Sequence, residues 1–160
     1  MQIETRLAAL GLVLPEVTKP PAGVRLPFAF VLVRGDRAYV SGHGPTNHDG
    51  SFAPPFGKVG TDVSLEDAYG AARLTALAIL ASLKEELGDL DRVTAWLRVF
   101  GMVNTAPGFN KTPAVINGFS DLINELYGPE VGRHARAAIG VAELPFGIPV
   151  EIEAEVEIAP

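Results

Sequence analysis

Val150-Glu151-Ile152-Glu153-Ala154-Glu155-Val156-Glu157-Ile158 alternates without a break between an apolar side chain and a glutamate. A period of two belongs to a β-strand, so Val150, Ile152, Ala154, Val156 and Ile158 face a core while the glutamates face away from it. A strand of this kind needs something apolar to lie against, and the chain upstream supplies it. Ala135 to Ala142 is a second candidate strand. Before it, Pro113 can open a helix carrying Val115, Ile116, Phe119, Leu122, Ile123 and Leu126, closed by Gly128. Ser64, with Asp67 three positions on, caps a longer helix running to about Leu87. Its apolar positions Leu65, Ala68, Ala72, Ala76, Ile79, Leu83 and Leu87 advance by three or four along one stripe, and Gly88 stops it.

Between the two helices, Val93 to Phe100 alternates Val93, Ala95, Leu97 and Val99 against Thr94, Trp96, Arg98 and Phe100, the pattern of a strand occupied on both faces. Trp96 and Phe100 are expected on the face away from the helices, where they would meet a neighbouring subunit. Near the start, Phe28–Val33 and Arg37–Ser41 are strand-like runs joined by Gly35-Asp36, which suits a two-residue hairpin. Residues 43–61, with Asn47, Asp49 and several glycines and prolines, read as an exposed connection. Residues 1–26 read as a short helix over Glu4–Leu10 and an extended arm broken by Pro15, Pro20 and Pro21, and residues 27–160 as one domain. The element order ββαβαββ after the arm predicts an α+β fold, a mixed sheet with two helices packed on one face.

Composition narrows the function. The chain has 160 residues and is 48% hydrophobic, enough for a single core. It has no cysteine, which removes disulfides, thiolate metal sites and a cysteine nucleophile and fits a reducing compartment. His43, His48 and His134 match no zinc spacing, so no metal is expected. A formal charge of −6 disfavours nucleic acid as a partner. No stretch is long and apolar enough to span a bilayer or act as a secretory signal, so no membrane partner and a cytoplasmic location are expected.

Three segments carry a resemblance that extends from about Pro27 to the C-terminus. They are Pro27-Phe28 through Tyr39-Val40-Ser41-Gly42, then Val115-Ile116-Asn117, and above all Ala135-Arg136-Ala137-Ala138-Ile139-Gly140-Val141-Ala142-Glu143-Leu144-Pro145 leading into Val150-Glu151-Ile152-Glu153-Ala154. In these the chain resembles the RidA/YjgF family, as a form with an extended N-terminal arm. The resemblance implies a chorismate-mutase-like fold, a homotrimer with a barrel of three sheets, and ligand clefts between subunits. It implies hydrolytic deamination of enamines or imines such as 2-aminoacrylate to 2-keto acids and ammonia, without a cofactor. Other readings are a non-catalytic module that binds a small carboxylate and the ribonuclease activity sometimes attached to the family.

Residue by residue, the resemblance makes Arg136 the grip on the substrate carboxylate, a role that suits a planar guanidinium with its paired donors. Glu151 becomes the carboxylate that positions water and moves a proton. Ala138 stands where many relatives have cysteine, and its backbone N–H remains a donor; Phe28 stands where many have tyrosine, keeping the ring without the hydroxyl. Ser41 and Asn117 are placed in the same cleft, although Ser41 can equally satisfy backbone at a strand end and Asn117 can bond within its own helix. His43, Arg133 and His134 read as ordinary loop residues.

Overall fold

In a computed structural model, which describes residues 1–20 and 22–160, the chain folds as α1 (Gln2–Ala9), β1 (Val31–Arg34), β2 (Arg37–His43), α2 (Leu65–Leu87), β3 (Val93–Asn104), α3 (Thr112–Val131), β4 (Ala135–Val141) and β5 (Val150–Ile158). The five strands form one sheet in the order β1-β2-β5-β3-β4, antiparallel except for the β3–β4 pair. The glutamate-alternating strand therefore lies at the centre. Both long helices cover the same face, against Val150, Ile152, Ala154, Val156 and Ile158. This is the mixed sheet with two helices on one face that the residue pattern predicts.

Local chemistry accounts for the boundaries. The Ser64 side chain accepts from the Asp67 N–H at the start of α2. Gly35 takes φ 60° in the two-residue turn between Arg34 and Arg37, a conformation costly for any residue with a Cβ. In α3, Gly128 leaves helical geometry, and a last turn follows through Pro129.

Three expectations need correction. Trp96 is 2% exposed and lies on the helix-covered face, its ring edge-on to Phe119 and Tyr127 at 5.7 Å each. The register of β3 on β5 shifts between Val93 and Ala95 and again between Trp96 and Arg98. Each bulge adds a residue and turns the next side chains over, so Val93, Trp96 and Val99 all enter the core. Strict alternation put Trp96 on the wrong face; Phe100, beyond the second bulge, pairs with Glu153 on the open face as expected. Residues 43–61 are an exposed connection only in part. Gly44, Pro45, Thr46, Gly50, Ala53 and Val59 are buried, and Val59 bridges to Thr105 beyond β3.

The N-terminal segment belongs to the same body. Its helix is Gln2–Ala9, earlier than Glu4–Leu10, because the Asp91 carboxylate accepts from the Gln2 and Ile3 N–H groups at 2.6 and 2.9 Å. Ile3 and Leu7 join the core. The arm then runs beside Ala81, Lys84 and Glu85 of α2 and ties to the 43–61 segment through Glu16 N–H to His48 O and Thr18 Oγ1 to Gly50 O.

Candidate functional site

Arg136 stands on β4, the edge of the sheet, in register with the buried Val99 and thus on the helix-covered side. Its Nη1 donates to Asn117 Oδ1 at 2.8 Å and to Ser120 Oγ at 3.1 Å, both on α3. Nη2 makes a longer contact, 3.4 Å, with the Pro113 carbonyl. Both Nη1 protons are thereby engaged. The opposite edge of the guanidinium, Nε–H with an Nη2–H, keeps the two parallel donors that match a carboxylate. Among the described residues no carboxylate pairs with Arg136, although the chain has acidic groups to spare. A half-buried cation held by neutral groups is set up to receive an anion.

Ala138 lies two residues along the same strand, partly buried against the core, with its carbonyl accepting from Thr112 Oγ1 at 3.0 Å. Asn117, Arg136 and Ala138 thus form one group at the junction of α3 and β4. Asn117 does not bond within its helix; it holds the arginine.

The other expected residues form a second group on the open face. Glu151 pairs in register with Met102 of β3 and points away from Val150 and Ile152, both wholly buried. It is half-buried, and burial, reinforced by the neighbouring Glu153 charge, pushes its carboxyl above the usual range. No hydrogen bond or ion pair to it occurs among the described residues. The room for it comes from β2. A bulge there sets Ser41 and Gly42 between the pairs Val40–Ala154 and His43–Ile152, and a Cβ on Gly42 would lie 2.6 Å from Glu151 Oε2. Only a residue without a side chain leaves that carboxylate where it is.

Ser41 donates its hydroxyl to the Ala29 carbonyl at 2.7 Å, so its proton is committed to backbone and its lone pairs face outward. Phe28, 53% exposed, stands edge-on to Phe30 at 5.9 Å. Together Phe28, Ser41, Arg98, Phe100 and Glu153 line an open groove of about 590 Å³.

Within one chain, then, the site residues expected from sequence fall into two groups. Arg136, Asn117 and Ala138 occupy the helix side of the sheet edge, and Glu151, Ser41 and Phe28 occupy the open side, with β3 between β4 and β5. Sequence reasoning missed two members of the first group. Ser120 touches Arg136, and His134 Nε2 lies 2.9 Å from Ser120 Oγ. The only local signal is that Ser120 follows the candidate Asn117 by three residues, on a neighbouring turn of the same helix. His43 is a core residue, 7% exposed, bonded to Ser82 Oγ and the Ser41 carbonyl, and burial lowers its pKa.

Comparison with known proteins agrees with the fold. The chain belongs to the family described as YjgF/chorismate mutase-like, putative endoribonuclease, whose profile matches residues 4–148. It is 38% identical over 157 residues to Protein TCP17 of Trypanosoma cruzi, covering 98% of this chain and 94% of that one. A crystal structure of a protein of unknown function from Agrobacterium tumefaciens is similar with TM-score 0.86 at 42% identity, over 98% of this chain and 92% of the other. Another, of a putative endoribonuclease from Shewanella oneidensis, has TM-score 0.89 at 29% identity, over 99% and 100%. These relatives span the N-terminal arm as well as the sheet domain. No helix among the described residues is long and apolar enough to cross a membrane.

Proposed function

We propose that the protein hydrolyses reactive enamine or imine intermediates to 2-keto acids and ammonia, at clefts where the Arg136 group of one subunit meets the Glu151 group of a neighbour in a trimer. The observation that carries this reading is the pairing of an uncompensated arginine edge with a half-buried, unbonded carboxylate on opposite faces of one sheet. Neither serves a structural ion pair, and a second copy is what would bring them together.

In this reading an enamine such as 2-aminoacrylate first tautomerises to its imine. The Nε–H and Nη2–H edge of Arg136 and the Ala138 N–H hold the carboxylate, and Phe28 and Ser41 line the wall. Glu151 takes a proton from water as the oxygen adds to the imine carbon and passes it to the nitrogen, giving a carbinolamine; it then takes the carbinol hydroxyl proton and delivers it to the amine nitrogen as the carbon–oxygen double bond forms and the carbon–nitrogen bond breaks. The products are one keto acid and one ammonia, with water consumed and no redox change. Such imines hydrolyse unaided, so positioning and proton transfer worth about a hundredfold would suffice.

The names of relatives raise ribonuclease activity as a second reading. Against it stand the charge of −6 and the histidines, since His43 and His134 are each tied to a serine and a carbonyl rather than to one another. The deciding experiment generates 2-aminoacrylate and 2-iminobutyrate enzymatically and follows ammonia and keto-acid release. Acceleration above buffer is expected. A folded protein that binds 2-oxobutyrate without accelerating release would instead be a carboxylate-binding module.

A further inference from the structure

Arg136 is held by more than its direct contacts. From Arg136 Nη1 the chain of hydrogen bonds continues through Ser120 Oγ to His134 Nε2, and from His134 Nδ1 to the Gly132 carbonyl at 2.7 Å. Its ends settle every proton between them. A carbonyl only accepts, so His134 Nδ1 carries a hydrogen, and a guanidinium only donates, so Ser120 accepts from Arg136. With His134 neutral, Nε2 is left as a lone pair and the Ser120 hydroxyl donates to it. Burial first, and then the Arg136 charge, lower the His134 pKa, which keeps the ring in this neutral form. Phe119 stands edge-on to the imidazole at 6.2 Å.

The consequence lies in the direction of the Ser120 hydroxyl. A serine inside a helix commonly turns its hydroxyl back to a carbonyl of the preceding turn. Drawn instead toward His134, the Ser120 proton leaves the oxygen lone pairs facing Arg136. With Asn117 taking the other Nη1 proton, the guanidinium is fixed in rotation, and its Nε–H/Nη2–H edge stays turned outward.

We propose that His134 is a positioning residue for Arg136, acting through Ser120 to hold the guanidinium edge in the orientation that receives a carboxylate. The proposal rests on the reading of Arg136 as the carboxylate anchor, and the test separates the two. Binding of 2-oxobutyrate to the full-length protein is measured by calorimetry at pH 7.5 for wild type, His134→Phe, Ser120→Ala, the double variant, His134→Gln and Arg136→Ala, each checked for a native melting profile. Phenylalanine keeps the ring packing and removes the acceptor; glutamine restores an acceptor.

Expected are losses of about three- to tenfold for His134→Phe and for Ser120→Ala, the scale of one hydrogen bond. The double variant should be no weaker than the weaker single variant, as for two residues acting in series. His134→Gln should recover most of the affinity, and in the deaminase assay the loss should appear in KM rather than kcat. Wild-type affinity in His134→Phe, with Arg136→Ala impaired, overturns the positioning role and leaves the anchor standing. Additive losses overturn the route through Ser120. Wild-type affinity in Arg136→Ala overturns the anchor itself. Should His134→Phe fail to fold, His134→Leu, which also lacks the acceptor, carries the same test.

Discussion

Arg136 and Glu151 lie on opposite faces of the same sheet, Arg136 in register with the core residue Val99 and Glu151 with Met102 of the open face. No side-chain rotation brings them to one substrate in a single chain. In the proposed reading a second copy brings them together, and the predictions below treat the two groups separately.

Replacing Arg136 with alanine should remove carboxylate binding. The loss expected is about 1.5–3 kcal/mol, the scale of hydrogen bonds to charged groups, or roughly ten- to 150-fold in affinity for 2-oxobutyrate. The fold should persist, since the arginine pairs with no buried charge. Titration of 2-oxobutyrate into wild type and variant checks this, and equal affinities would remove Arg136 from the site.

Glu151→Gln should do the reverse. The amide has nearly the shape of the acid but cannot cycle a proton, so turnover should fall by about a hundredfold or more while 2-oxobutyrate still binds. With the folded carboxyl raised above its usual range, wild-type activity should climb with pH through that displaced value as the carboxylate forms, and the variant should lack this limb. Full activity in the variant would discard the proposed proton transfer.

Gly42→Ala is a probe that touches neither reacting group chemically. The added methyl would meet Glu151 Oε2 at 2.6 Å and Cδ at 2.9 Å, and the carboxylate must swing aside. Because the obstacle is the far end of a flexible side chain, stability should change by less than about 1 kcal/mol. Turnover should drop about tenfold or more from misplacement alone, with 2-oxobutyrate affinity unchanged. A variant as active as wild type would place the reacting carboxylate elsewhere.

His43 gives the fold an acid-sensitive element. Buried and neutral, it has a folded pKa below its unfolded value of about 6.5. Between those two values the unfolded chain binds the extra proton, so stability falls as pH drops through about 6.5 and levels off below the folded pKa. Each such proton contributes at most about 1.4 kcal/mol per pH unit. Denaturant unfolding between pH 5 and 8 should show this limb in wild type and a shallower one in His43→Gln; identical slopes would mean the ring is not buried as a neutral base.

How much was legible in the sequence follows from how local each feature is. The stripe from Leu65 to Leu87 with Ser64 and Gly88 at its ends, and the alternation from Val150 to Ile158, are decided by side chains three, four or two residues apart, so both elements were readable. The two bulges in β3 were not. They arise from pairing with β5, and a bulge leaves no fixed residue signature, so the face of Trp96 was misjudged. Residues 43–61 looked exposed because they are rich in glycine and proline, yet contacts with distant parts of the chain bury several of them, such as Val59 beside Thr105.

For the site, sequence alone determined the residue types. The family resemblance around Arg136 and Glu151 singles out a carboxylate anchor and a candidate acid–base, and the same resemblance points to Asn117. Only the tertiary structure decided how they are arranged. Contacts between α3 and β4 join Ser120, His134 and Arg136 across 14 to 16 residues of chain. Sheet order sets Arg136 and Glu151 back to back. Periodicity reports which side of its own element a residue faces, and that is a local property. Which element lies beyond that side is settled by long-range packing, which burial of apolar surface drives and no short stretch of sequence records.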